Sequence, residues 1–144
     1  LAHTARRLNL LDLPGLNMDA EIAASMSRIV EASGLSRAEA VDLLNDVARR
    51  YGVRLCGGNA EALTLATLEK WLNPNEAKNV PSTRALNLFC HAFDATEPLD
   101  ILARSHGRGW KVIGDEDARL LEWARAEMEI KRLKARKRKI ETEL

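Results

Sequence analysis

Apolar runs of more than a few residues are missing from this 144-residue chain, and no segment approaches the ~20 apolar residues of a membrane-spanning helix. No charged-then-apolar leader opens it either, so the expectation is a protein that is neither secreted nor membrane-bound. Cysteine is scarce: Cys56 and Cys90 lie far apart, with no C-x-x-C or Cys/His grouping. That pattern excludes a zinc cluster or disulfide framework and predicts reduced, cytoplasmic thiols. His3, His91 and His106 are isolated, and none has a Glu or His partner in the H-E-x-x-H manner of a metal pair. Gly57-Gly58 lacks the following Lys-Ser/Thr of a phosphate loop. Cys90 and His91 are neighbours, but adjacent side chains on a helix point about 100° apart, so a buried structural thiol is expected rather than a nucleophile. No reaction, metal or cofactor follows from these residues.

Hydrophobic residues make up 46% and charged residues 30%, a globular balance too apolar for disorder. The length suits one domain with a core plus an appendage. Net charge is only +1, but its distribution is uneven. Residues 1–114 hold thirteen Lys or Arg against thirteen acids, whereas seven of the nine residues from Lys131 to Lys139 are basic. A neutral body is a poor general binder of polyanions, because Lys and Arg contacts to phosphate supply most non-specific affinity. A local patch has to carry any such binding.

Along the chain, residues 1–17 read as an arm, with Pro14 and Gly15 interrupting a leucine-rich piece. Asp19 is expected to cap a first helix whose Ile22, Met26, Ile29 and Val30 share one face, with Gly34 as its stop. Ser36 and Glu39 form an S-x-x-E capping box ahead of Ala40, Leu43, Leu44, Val47, Ala48 and Tyr51, and Gly52 ends that second helix. From Gly52 to Leu63 the periodicity lapses into a loop containing Gly57, Gly58 and Asn59, with a short extended piece expected at Val53–Cys56. Thr64 caps a third helix that turns Leu68, Trp71 and Leu72 inward and ends at Asn73-Pro74. Pro81-Ser82 introduces a fourth helix with Leu86, Phe89, Cys90 and Phe93 on one face. Pro98 opens a brief fifth with Leu99, Ile101, Leu102 and Ala103. Residues 105–114, with three glycines, form a connector or short strand.

From Asp115 to Leu144 neither Gly nor Pro occurs, and strong helix formers predominate. Acids lead and bases follow, as the helix dipole prefers. Trp123, Ile130 and Leu144 recur at heptad position a, with Lys137 in the remaining a place and Ala126, Leu133 and Ile140 at d. The pattern fits a coiled coil or a helix packed on its own domain. The expected class is therefore all-α: a five-helix domain over 18–104, the connector, and a long C-terminal helix over 115–144.

The second helix, the connection and the short helix beginning Leu-Thr-Leu-Ala-Thr-Leu-Glu-Lys-Trp-Leu-Asn resemble the Cro and lambda-repressor type of helix-turn-helix, also called the xenobiotic-response-element-like family of phage and bacterial regulators. Leu35-Ser36-Arg37-Ala38-Glu39 is similar to the start of that family's first motif helix, and Leu63–Asn73 to its recognition helix, with Leu63, Leu68 and Trp71 at the buried positions. Pro81-Ser82 with Leu86, Phe93, Leu99 and Leu102 is similar to its closing two helices. The likeness spans roughly residues 18–104 and departs in one respect. The family joins the two motif helices by three or four residues, whereas about twelve intervene here.

The resemblance implies that Thr64, Leu65, Ala66, Glu69 and Lys70 face a major groove, with Ser36, Arg37 and Asn73 near phosphates. Thr and Lys reach base edges or phosphates, Glu accepts from cytosine, and Leu65 and Ala66 offer apolar contact to a thymine methyl. It further implies a transcriptional regulator acting as a homodimer on double-stranded DNA, with one helix per subunit in adjacent major grooves. The expectation from another class is a protein-interaction adaptor that uses residues 115–144 to pair with a partner helix.

Overall fold

The computed structural model describes residues 17–76, 79–105 and 109–144, and among them every regular element is helical. The elements are α1 (Asp19–Ser33), α2 (Arg37–Tyr51), α3 (Leu65–Leu72), a 3-10 turn at Pro74–Glu76, α4 (Thr83–Ala92), α5 (Glu97–Arg104) and α6 (Asp115–Glu143). Residues 1–16 of the arm, His3 among them, and His106 lie outside the described residues.

Local chemistry sets most of the boundaries. Ser36 and Glu39 close both halves of the capping box on α2: the Ser36 hydroxyl accepts from the Glu39 backbone N–H at 3.2 Å, and the Glu39 carboxylate accepts from the Ser36 N–H at 2.7 Å. Thr64 and Ser82 cap α3 and α4 in the simpler way, each accepting from the backbone N–H three residues on. Gly34, at φ 75°, ends α1 in the left-handed region that a side chain would resist. Asp19 does not cap α1; it is the first helical residue, and the Asn17 side chain accepts from its N–H at 3.3 Å. Asn17 reaches that orphan donor from outside the helix, which a residue already in the first turn cannot do.

Hydrogen bonds to Ser36 hold the Glu39 carboxyl below its ordinary pKa. A depressed value means stabilisation that is present at neutral pH and is lost as the pH falls through the folded-state value. Glu39→Gln keeps a capping acceptor but no charge. The melting temperatures of parent and variant should therefore differ at neutral pH and converge as the pH falls through the folded-state value of the carboxyl, a gap that thermal unfolding reads directly. A gap that stays constant over that range would show that the Glu39 charge contributes nothing.

Helices α1 to α5 enclose one core. Met26 of α1, Leu44 of α2, Leu68 of α3 and Phe89 of α4 are fully buried, and Ile101 of α5 completes the cluster. Burial of such side chains from water, at about 1.5–3 kcal/mol each, is the main force holding the five helices together. Buried Ser25 satisfies its hydroxyl on the Ile22 carbonyl at 2.8 Å, and the Phe89 and Phe93 rings pack at 4.7 Å between centroids. Arg28 and Glu97 join α1 to α5 at 2.6 Å, but both are well exposed, so the pair contributes at most about 1 kcal/mol.

Two inward expectations are corrected. Tyr51 is exposed, its hydroxyl 3.2 Å from His91 Nε2, because it is the last residue of α2 and the chain there leaves the core. Leu102 is also exposed: α5 is only eight residues long and meets the core through Pro98 and Ile101. No strand forms at Val53–Cys56 or over residues 109–114.

The chain divides into two units, one ending at Val112 and the other running from Ile113 to Leu144. The second unit is essentially α6, whose 29 residues begin with Asp115, Glu116 and Asp117 and include no buried side chain.

Candidate nucleic-acid interface

Two opposed faces define α3. Leu68, Trp71 and Leu72 are buried, which holds the helix against α1 and α2. On the other side Leu65, Ala66, Glu69 and Lys70 are all exposed. At 100° per residue the spacing i, i+1, i+4, i+5 places these four on one continuous stripe.

The route into α3 is fixed by a side chain on α2. Asn45 Nδ2 donates to the Leu63 carbonyl at 3.0 Å, and Asn45 Oδ1 accepts from the Leu63 N–H at 2.9 Å. Both backbone groups of the residue preceding the Thr64 cap are thus held by one amide. Residues 52–64 replace the short turn of the resembled motif and are anchored in the core by Leu55 and Leu63. Gly58, at φ 68°, supplies the left-handed residue of the reversal, and the Arg54 guanidinium donates to its carbonyl. The long connection is therefore tied at several points, and its last residue enters the core directly before α3.

Arg37, Ala66, Glu69, Lys70, Asn73 and Glu76 contribute to the wall of an open groove of 610 Å³. Five of the eight residues assigned from the resemblance meet there: Arg37, Ala66, Glu69, Lys70 and Asn73. Leu65 and Thr64 continue the exposed surface toward the N-terminus of α3, and Ser36 is the residue before Arg37. Among the described residues neither Arg37 nor Lys70 takes part in an ion pair. Glu69 and Glu76 set two acids against these two bases, so the groove is close to neutral.

Three of the assigned residues already have local partners. The Ser36 hydroxyl caps α2, the Thr64 hydroxyl accepts from the Thr67 N–H at 3.3 Å, and Asn73 Oδ1 accepts from the Asn75 N–H at 3.0 Å. Arg37, Leu65, Ala66, Glu69 and Lys70 keep their side chains free of such duties. Two participants escaped the sequence reading. Glu76 lies in a 3-10 turn that Pro74 begins, and Asn45 acts on a residue eighteen positions away. The only signal of Asn45 is an amide bordering the apolar stripe of α2 just before a long loop.

The thiols have the character of structural residues. Cys90 is buried, and burial pushes its pKa up, as it does for half-buried Cys56, so both favour the neutral, unreactive form. Against known proteins, no family model matches the chain, and neither a curated protein nor a solved structure matches it.

Proposed function

We propose that residues 18–104 bind double-stranded DNA with α3 as the recognition helix, and that the protein is a cytoplasmic, homodimeric transcription regulator of the phage or bacterial kind. The observation that carries this reading is the division of α3. One face locks into the core, while the Leu65–Ala66–Glu69–Lys70 stripe lies open beside Arg37 and the N-terminus of α2. Helix N-termini favour anions through their unpaired N–H groups; at α2 the capping box already holds those of Ser36 and Glu39, so the Arg37 guanidinium is the group there that suits a phosphate. Lys70 offers a base-edge or phosphate contact, Glu69 an acceptor for cytosine, and Leu65 and Ala66 a surface for a thymine methyl. With so few free cations in the groove, the salt dependence should be shallow, at about 0.9 in log–log slope per phosphate neutralised.

Lys70→Ala tests the docking. Lys70 lies about 200° around the helix from buried Leu68, so its loss should leave stability unchanged. In a mobility-shift series over salt, using random and genomic fragments, a lost phosphate contact lowers the slope by about 1, and a lost base contact costs about 1–3 kcal/mol on the preferred sequence. Arg50→Ala, at the opposite end of α2 from Arg37, is the control and should matter less. A Lys70→Ala protein with unchanged affinity and slope would remove α3 from the interface.

One observation favours the adaptor reading. Trp123, Ile130, Leu133 and Ile140 are all exposed along α6, an apolar display suited to a partner helix. Protein truncated after Gly114 that still shifts DNA, even at the weaker affinity of a monomer, supports the regulator; a body and a full chain that both leave DNA unshifted, with an α6 that captures a protein other than a second copy of itself, support the adaptor.

A further inference from the structure

A helix that exposes a tryptophan and several large aliphatics, and buries none of its own residues, needs a partner surface. From α6 we infer that its occupant is a second α6 running antiparallel, in the register that places Trp123 opposite Ile140 and Ile130 opposite Leu133 of the second copy. The inference rests on the homodimer part of the reading above and is independent of DNA binding.

Charge decides the direction. Residues 115–130 carry six acids against Arg119 and Arg125, whereas residues 131–144 carry seven bases against Glu141 and Glu143. Parallel pairing sets each half against its like, and antiparallel pairing sets acidic against basic. The seam gives the same answer. In a parallel pair the a position Lys137 meets its own copy, leaving two ammonium groups face to face in the apolar layer. In the antiparallel register Lys137 faces Ala126, the smallest seam residue. The lysine stem can then cover that methyl while its head stays outside, near Glu141, which it already approaches at 3.7 Å. The flanks follow: Glu129 falls beside Arg136 and Glu127 beside Lys134 of the second copy, each pair occurring twice by symmetry. Glu122 beside Glu143 is the one like-charged flanking pair, near the ends where solvent screens it. The Trp123 and Ile130 layers also occur twice, so the two-fold axis passes between residues 131 and 132.

Direction can be read as a distance. In the 144-residue chain carrying Cys56→Ser, with Cys90 buried and slow to react, Ala118→Cys places one spin label per chain on the outer face of α6. The antiparallel register separates the two labels by about 40 Å at ~1.5 Å of rise per residue, whereas parallel helices of ~10 Å diameter keep them within about 20 Å. A dipolar electron-resonance distribution centred near 40 Å is the expected result. A short distance retains the dimer and overturns the direction. Absence of dipolar coupling at concentrations well above that of the shift assay overturns α6 pairing altogether, and leaves DNA binding by the body to be judged by that assay. Ala126→Glu supplies a second measurement. Facing Lys137 it should tighten the dimer severalfold, whereas in a parallel pair it faces its own copy and weakens it.

Discussion

Trp71→Ala should lower the free energy of unfolding by about 3–5 kcal/mol, a large part of the 5–15 kcal/mol that holds a typical domain together. The indole is only 6% exposed, and it belongs to an eight-residue helix whose position depends on three buried side chains. Removing the largest of them leaves a cavity against α1 and α2 that Leu68 and Leu72 are too short to fill. Denaturant titration followed by circular dichroism measures the loss, with the slope of the transition as a check that the same surface is still exposed on unfolding. DNA affinity should fall only in proportion to the folded fraction. A loss under about 1 kcal/mol would show that the indole is outside the core and would turn attention back to it as a contact residue. Set beside Lys70→Ala, this variant divides one helix into its two functions. The inward residue governs whether the surface exists, and the outward one governs what the surface binds.

That division was legible in the sequence because both of its ingredients are local. The 3.6-residue period of Leu68, Trp71 and Leu72 fixes which stripe is buried, and Thr64 and Asn73-Pro74 fix where the helix begins and ends, so the exposed stripe follows by subtraction. The capping box at Ser36 and the stop at Gly34 are equally local and lie where expected. What was not legible depends on contacts between distant segments. Asp19 has the side chain of a cap, but Asn17 is the residue that reaches the helix-start N–H, and Tyr51 shares the phase of an apolar face that the core no longer covers at the end of α2. The 3-10 turn at Pro74–Glu76 brings Glu76 into the groove, and no periodicity announces a three-residue element. Residues 52–64 read as an irregular loop because their order comes from Leu55, Leu63 and an amide on another helix rather than from any repeat of their own.

That amide sets the second large effect. Asn45→Ala removes both partners of the Leu63 backbone at once, leaving a part-buried N–H and a part-buried C=O without protein hydrogen bonds. At about 1–3 kcal/mol for each unsatisfied group, a combined loss of about 2–4 kcal/mol is expected, softened where water reaches them. Asn45→Asp separates the two bonds. Its carboxylate can still accept from the Leu63 N–H but meets the Leu63 carbonyl with a second negative oxygen. Near neutral pH the aspartate variant should therefore be at least as unstable as the alanine one. Protonation restores an O–H donor toward the carbonyl, which raises the carboxyl pKa in the folded state. A raised folded-state value means that stability is recovered as the pH falls through it and lost as the pH rises, the reverse of the Glu39 dependence. The alanine variant should show no such recovery. Because Leu63 immediately precedes the Thr64 cap, its release should also free the start of α3. Hydrogen exchange at the Leu63 amide should rise by more than the global loss of stability accounts for. DNA affinity should likewise fall below what the folded fraction allows, since the exposed stripe is no longer held at one angle. If exchange and affinity both follow the folded fraction alone, Asn45 contributes stability without positioning, and Leu55 and Leu63 in the core would be what sets the direction of α3.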